Sequence, residues 1–364
     1  MTKFPIPAIA ILLAASISQL SPAAAPTPPA PPASGPLQRI EESTFGTMPD
    51  GTIVKLYTLK NAHNITAKVM TYGAIIAGME VPDKDGKLAS VVAAPANWQA
   101  TQRFNMLAQT IGPVANRVGG NSFSLDGKDF PMEGNNTLHS GSANTGTKNW
   151  QAKPLEPKPH ESAVEMSYTH KDATAGFPGN IHFSVTFTLN DDNEFSLQYQ
   201  ATTDKPTIIN LTNHTYWNLN GYTAATVPGT NQELWLDADK YLATNPQLIP
   251  TDEVLPVKDT PYDFTKPAIL GSHAPQRGYD TPFVLNSGGG KIAPAARLRD
   301  PVSGRILEIR TDQPGIQVYT GQRTGVALET QHHPDSIHHD TFPTTILKPG
   351  DTFKTTTIYA FSAK

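Results

Sequence analysis

The chain has 364 residues, a formal charge of −4 from 28 Lys and Arg against 32 Asp and Glu, and no cysteine. A mildly acidic chain without basic blocks argues against nucleic acid or an anionic membrane as a partner. Without a thiol there is no disulfide framework, no cysteine nucleophile and no lipid anchor through an N-terminal Cys.

Residues 1–25 read as a secretory signal peptide. Lys3 gives a small positive start, Ala8–Ile17 is a short apolar stretch, and small residues follow through Ala23, Ala24 and Ala25. The stretch is too short and wrongly flanked for a membrane anchor. The expectation is a periplasmic or secreted protein, cut after Ala23 or Ala25, with no stable membrane insertion once the signal is gone. Next comes PTPPAPPASGP, Pro26–Pro36, whose prolines prevent helix or sheet ladders; residues 26–37 therefore read as an extended linker. No second linker or charge block interrupts residues 38–364, so a single catalytic domain is expected there.

Within that domain the periodicity is that of strands. Val164, Met166 and Tyr168 alternate with polar residues, as do Phe183, Val185, Phe187 and Leu189, and then Phe195, Leu197 and Tyr199. Asp-Gly turns recur at Asp85-Gly86 and Asp126-Gly127. The 33 prolines and 27 glycines break nearly every helical pattern. The fold class expected is all-β, a large antiparallel β-sandwich, with only short peripheral helices.

Chemistry-bearing residues appear in this order. IGPVANRVGG places Asn116 and Arg117 where the chain is about to turn, and Arg117 offers five fixed donors for hydroxyls or an oxyanion. NNTLHSG carries His139 before a small, flexible Ser-Gly. In NLTNHTYWNLNG, His214 stands among Asn210, Asn213, Asn218, Asn220, Tyr216 and Trp217; amides beside an aromatic face suit a polyol. GYDTPFVL carries Asp280, and GVALETQ carries Glu329 and Gln331. Burial beside Val326, Ala327 and Leu328 raises the pKa of a carboxylate such as Glu329 toward useful values. His214 and Glu329 together make a general acid–base pair. Each residue also has a plain structural role open to it: salt bridge, turn, cap or outward-facing strand position. HHPDSIHH, His332–His339, holds four imidazoles, but Pro334 interrupts any helix and the segment reads as a solvated loop rather than a metal site. There is no phosphate loop and no nucleophile elbow.

Nine segments in order resemble the aldose 1-epimerases, also called galactose mutarotases: TYGAIIAGMEVPDKDG, ANRVGGNSFSLDGKDF, NNTLHSG, GFPGN, NLTNHTYWNLNG, LIPTDEVLPVKDTPYDF, GYDTPFVL, PGIQVYTG and GVALETQHHPDSIHHDTFPTTILKPGDTF. They span about Tyr72 to Phe353. The resemblance implies a galactose mutarotase-like supersandwich with a sugar site in a wide cleft. It implies Glu329 as catalytic base, His214 as catalytic acid, Arg117 and His139 near the sugar ring oxygen, and Asp280 on sugar hydroxyls. Asn116 and Gln331 are added as neighbours of these residues. The implied reaction is interconversion of the α and β anomers of a free aldohexose, with a monosaccharide substrate, no cofactor and no metal, by a monomer or dimer. Pro113, Ser140, Thr145–Thr147, Val91–Ala94 and Thr281-Pro282 depart from the family pattern and bear on substrate preference. A hexose-6-phosphate epimerase would need a cationic cluster for the phosphate, and a binding module would not need the acid–base pair. A glycosidase wants two facing carboxylates.

Overall fold

The three alternating runs become neighbours in one sheet. In the computed structural model, which describes residues 37–103, 107–156, 158–222, 228–321 and 325–364, strand Ile181–Asn190 lies between Glu161–His170 and Glu194–Thr203. The expected signal peptide and nearly all of the linker lie outside the described residues. Val164 pairs with Phe187 and Met166 with Val185, while Phe187 pairs in turn with Leu197 and Val185 with Tyr199. One face of the triplet is thus mostly apolar and buried, with Ser162 and His170 enclosed at its ends, each buried apolar side chain contributing about 1.5–3 kcal/mol of transfer free energy.

The sheet continues through Phe353–Ala363, Arg305–Thr311, Ala293–Arg299, Glu233–Leu236 and Ala268–Ile269, with Gln151–Pro154 at the other edge, for nine strands. A second sheet has six strands in the order Tyr216–Trp217, Val326–Gln331, Gly315–Tyr319, Asp280–Val284, Lys240–Thr244 and Pro250–Pro256. A third, of five, runs from Ile40–Thr47 to Leu88–Ser90. Neighbouring strands within all three sheets pair antiparallel. The only α-helix among the described residues is Trp98–Arg103. The architecture is the expected all-β, antiparallel one.

Two contacts show how the six- and nine-stranded sheets face each other. The rings of Trp217 and Tyr359 lie 5.0 Å apart, and the hydroxyls of Thr330 and Thr357 are hydrogen-bonded at 2.6 Å. Strand Val326–Gln331 is buried at every position. Thr330 meets the nine-stranded sheet, so by strand alternation Ala327, Glu329 and Gln331 point the other way. That second face, also buried, needs another explanation than the core.

Candidate active site

Directly paired residues of an antiparallel sheet share a face. Tyr216 pairs with Ala327, Ala327 with Tyr319, and Tyr319 with Asp280. One step along, Glu329 pairs with Gln317. Tyr216, Glu329, Gln317, Gln331, Tyr319 and Asp280 therefore share one face of the six-stranded sheet. The amide of Gln317 donates to Asp280 Oδ1 at 2.6 Å and fixes that carboxylate at the rim.

His214 reaches this face from a segment pinned at both ends. Thr212–Asn213 pairs with Thr110–Ile111, and Tyr216–Trp217 pairs with Val326–Ala327. Between them, His214 N–H donates to the Gln109 carbonyl at 2.9 Å, and Ala108 N–H donates to the His214 carbonyl at 2.9 Å. The imidazole is left little freedom: its Nε2 lies 3.6 Å from Glu329 Oε1, with the two residues 4% and 2% exposed. Tyr216 and Tyr319 rings flank it at 5.0 and 6.2 Å. The neighbouring asparagines do other work. Asn210 clasps the His332 backbone through both ends of its amide, Asn213 donates to the Ala108 carbonyl, and Asn220 reaches Asp300. The polyol-lining reading of those three amides gives way to bracing of the segment that carries His214.

His139 comes from the opposite wall, its ring 5.3 Å from that of His214. Leu138 pairs with Arg117, and beyond that pair His139 N–H donates to the Asn116 carbonyl at 2.8 Å while Asn116 N–H donates to His139 Nδ1 at 3.1 Å. An Nδ1 that accepts leaves the proton of the neutral ring on Nε2, so His139 presents an N–H donor. Asn116 Oδ1 accepts from Arg117 N–H at 2.9 Å. Asn116 thus organises its two neighbours. Asn116, His139 and Ser140 all have left-handed backbone, with φ of 61°, 49° and 64°, a conformation costly to residues other than glycine and, less so, asparagine. Ser140 meets that cost with its hydroxyl, which accepts from Val114 N–H at 2.8 Å and donates to the Val114 carbonyl at 2.9 Å. The strain at Ser140, one of the departures from the family pattern, is therefore compensated locally.

Arg117 is half-buried near Tyr319 and His139. Among the described residues no carboxylate lies within salt-bridge distance of its guanidinium, which removes the ion-pair reading. Its backbone carbonyl is held by Asp335 N–H at 2.9 Å, and Asp335 Oδ1 in turn accepts from Gly119 N–H at 2.8 Å. His338 Nδ1 sits 2.6 Å from the same Asp335 oxygen, and His339 bonds Asp252 at 2.8 Å. His332 bonds the Gln313 amide at 2.7 Å, and His333 packs edge-on against Phe342 at 5.2 Å. The solvated-loop reading of His332–His339 is corrected: only His338 of the four is exposed, and the segment buttresses the Arg117 loop.

Burial dominates the electrostatics. It pushes the Glu329 carboxyl well above its usual range, with Asp280 adding repulsion, and pulls His214 down to about 4. His139 is held well below its usual value by burial, then by His214 and Arg117. Glu329 Oε2, His214 Nδ1, Gln317 Oε1 and both amide atoms of Gln331 have no hydrogen-bond partner among the described residues. Buried polar atoms without partners are costly, and here most line one face. His139, His214 and Glu329 each bring one ligand-type atom to within 4.8 Å of the others. Yet a ring whose Nδ1 accepts a backbone N–H has a hydrogen, not a lone pair, on Nε2. The set therefore suits hydroxyl and ether oxygens better than a cation.

The sequence-derived residues His214, Glu329, His139, Asn116 and Arg117 are brought together, with Asp280 at the rim and Gln331 two residues from Glu329 on the same strand face. Sequence reasoning missed Gln317 and Tyr319 as wall residues, and Ser140 as a clamp, while Tyr216 of its aromatic pair does flank His214. The signal for two of them was present in PGIQVYTG, where Gln317 and Tyr319 alternate with Ile316 and Val318.

Residues 55–360 match the family described as aldose 1-epimerase. The chain is 33% identical over 347 residues to galactose mutarotase of Sus scrofa, covering 89% of this chain and 98% of that protein. It is 30% identical over 346 residues to aldose 1-epimerase of Escherichia coli, covering 87% and 97%. Among solved structures, an aldose epimerase homologue from C. elegans superposes with a TM-score of 0.76 at 27% identity, over 85% of this chain and 98% of that one. These matches and the site geometry lead to one conclusion: the chain belongs to the aldose 1-epimerase family.

Proposed function

We propose that this protein interconverts the α and β anomers of free aldohexoses such as glucose and galactose, with Glu329 as base and His214 as acid. The observation that carries this reading is the 3.6 Å separation of His214 Nε2 and Glu329 Oε1. A cyclic aldose carries its C1 hydroxyl and ring oxygen on one carbon, so an acid and a base serving both must nearly touch. Glycosidase carboxylates, which flank a glycosidic bond, stand about 5–9.5 Å apart.

Glu329 takes the proton of the C1 hydroxyl as His214 gives one to the ring oxygen. The C1–O5 electron pair leaves with O5, and C1 becomes an aldehyde. After rotation about C1–C2, His214 takes the proton back from the C5 hydroxyl, which attacks the other face of C1, and Glu329 returns its proton to the carbonyl oxygen. No proton is gained or lost. The pair holds one proton whether it stands as carboxylic acid and imidazole or as carboxylate and imidazolium, and burial favours the first. The same burial makes the carboxylate a stronger base and the imidazolium a stronger acid, so each transfer from the charged form is easier. The His139 N–H and the Arg117 guanidinium supply donors for oxygens that gain charge as the ring opens.

Mutarotation followed by polarimetry tests the reading. Glu329→Gln and His214→Asn should each lower kcat by about 10²–10⁴-fold; either variant within a few-fold of wild type removes that residue from the role. Export is part of the proposal and rests on the composition of residues 1–25. N-terminal sequencing of the mature protein tests it, an intact Met1 counting against it.

A further inference from the structure

Arg39, Arg305 and Arg310 each face a carboxylate, whereas among the described residues Arg117 faces none. A long side chain without an ion pair is aimed by the backbone that carries it. That backbone is bonded on both sides. Arg117–Val118 pairs with Thr137–Leu138 on one side. On the other, Asp335 and His338 clasp the turn between Arg117–Val118 and Ser122–Leu125 at three points. Asp335 N–H donates to the Arg117 carbonyl at 2.9 Å, Asp335 Oδ1 accepts from Gly119 N–H at 2.8 Å, and His338 Nε2 lies 3.1 Å from the Ser122 carbonyl. The fit is close: a Cβ at Gly119 would stand 2.8 Å from Asp335 Oδ2.

His338 joins the two halves of this clasp. Its Nδ1 sits 2.6 Å from Asp335 Oδ1, the oxygen that also takes the Gly119 N–H. A carbonyl and a carboxylate only accept hydrogen bonds, and a ring that donates to both is an imidazolium. The Asp335 bond raises the His338 pKa against the opposing effect of burial. Asp335 is the charged group that acts on the ring, while strand Ser122–Leu125 brings the Ser122 carbonyl to it. The neighbouring His339 turns instead to Asp335 Oδ2 at 3.6 Å and to Asp252 at 2.8 Å.

We propose that Asp335 and His338 are positioning residues for Arg117: acting through the backbone of residues 117–122, they set where the guanidinium meets the sugar, and His338 does so as a doubly protonated ring. The proposal rests on the anomerase reading, in which Arg117 supplies donors to oxygens that gain charge. Polarimetry on glucose gives kcat/KM for wild type, His338→Gln, Asp335→Asn, Arg117→Ala and the two double variants, with thermal unfolding in parallel. Glutamine cannot reach both acceptors as donor, and asparagine keeps the N–H bond to Arg117 and tolerates the φ of 58° at position 335. Each single change at 335 or 338 should lower kcat/KM by about tenfold, the worth of a charge-assisted bond. In the Arg117→Ala background the same change should cost less than about twofold, because the group being aimed is gone. A merely structural role would lower the melting temperature and cost the same factor in both backgrounds. Wild-type kcat/KM should also fall as pH rises past the raised His338 value, above 6.5, and His338→Gln should lack that step. Equal losses in both backgrounds, or single variants within about twofold of wild type, overturn the positioning role. A pH profile that His338→Gln leaves unchanged overturns the doubly protonated ring. Wild type without glucose turnover overturns the anomerase reading and this proposal with it.

Discussion

Mild acid should destabilise this protein well before its exposed carboxylates titrate. His214, His332 and His333 are enclosed, and burial, the first cause in each case, takes all three imidazoles from the usual 6.5 to about 4. A group whose folded-state pKa is lowered is protonated first in the unfolded chain. Its stabilisation is complete above pH 6.5 and drains away as pH falls toward about 4. At about 1.4 kcal/mol per pH unit, the whole drop is worth roughly 3 kcal/mol per ring; at pH 5 about 2 kcal/mol per ring is already lost. His332 is the least enclosed, so its share is smaller; His139 and His170 push in the same direction, while the raised Glu329 carboxyl pushes the other way, because the folded chain keeps a proton there that the unfolded chain has lost. The net loss by pH 5 is therefore smaller than the roughly 5 kcal/mol the three rings give alone, and still a sizeable part of a typical stability of about 5–15 kcal/mol. The window differs from that of a carboxylate such as Asp191, held low by its Arg39 hydrogen bond, whose contribution disappears only below about pH 4. Urea unfolding followed by Trp fluorescence at pH 7.5, 6 and 5 measures the slope. His333→Gln should lose about 2 kcal/mol less than wild type between pH 7.5 and 5. Stability that is flat over that range, or a variant that tracks wild type, refutes the reasoning.

The activity profile, taken from initial rates after a pH jump so that unfolding does not intrude, should be a bell. Its acid limb lies near the pH of about 4 at which His214 accepts a proton beside a neutral Glu329, and its alkaline limb lies above the ordinary carboxylate range. A profile falling off around pH 4.5 on the alkaline side contradicts the buried pair. Gln317→Ala frees the Asp280 carboxylate from its 2.6 Å bond and should raise KM about tenfold with a smaller change in kcat; an unchanged KM removes Gln317 from substrate positioning. Ser140→Ala deletes two hydrogen bonds while keeping a side chain at φ 64°, so thermal unfolding should report a loss of about 1–2 kcal/mol. Ser140→Gly should lose less, because glycine takes that φ freely.

The sheet was open to reading where one face is polar and the other buried. Phe183, Val185, Phe187 and Leu189 alternate with polar residues, and their partners at 164–168 and 195–199 do the same, so period and register agree. Strand Gly315–Tyr319 hid its purpose. Four of its five residues are buried and the fifth, Tyr319, is half-buried, so sequence alternation cannot tell which face meets core and which meets a ligand. Only pairing does so, by placing Gln317 beside Glu329 and Tyr319 beside Asp280. The same limit explains His332–His339. Four imidazoles near a proline look solvated in sequence, and nothing local says that Asp335 carries the Arg117 loop from more than two hundred residues away.

The left-handed run at Asn116, His139 and Ser140 shows why the donor wall needs its particular residues rather than merely polar ones. Asn tolerates that backbone and caps its own chain, but His139 does not belong there by preference, and left-handed backbone costs a non-glycine residue about 1–2 kcal/mol. The strain is offset by bonds that are also the functional ones. Asn116 N–H holds Nδ1, which puts the imidazole proton on Nε2, and the Ser140 hydroxyl ties the loop to Val114 on both sides. An outward swing of His139 would therefore break the bond that sets its tautomer, so the ring's direction and its role as a donor are fixed by one contact. Across the site the orphaned atoms of Glu329, Gln317 and Gln331 are the matching cost on the sheet side. Strain on one wall and unpaired polar atoms on the other are both relieved by the same kind of guest, a ring of hydroxyls with one ether oxygen.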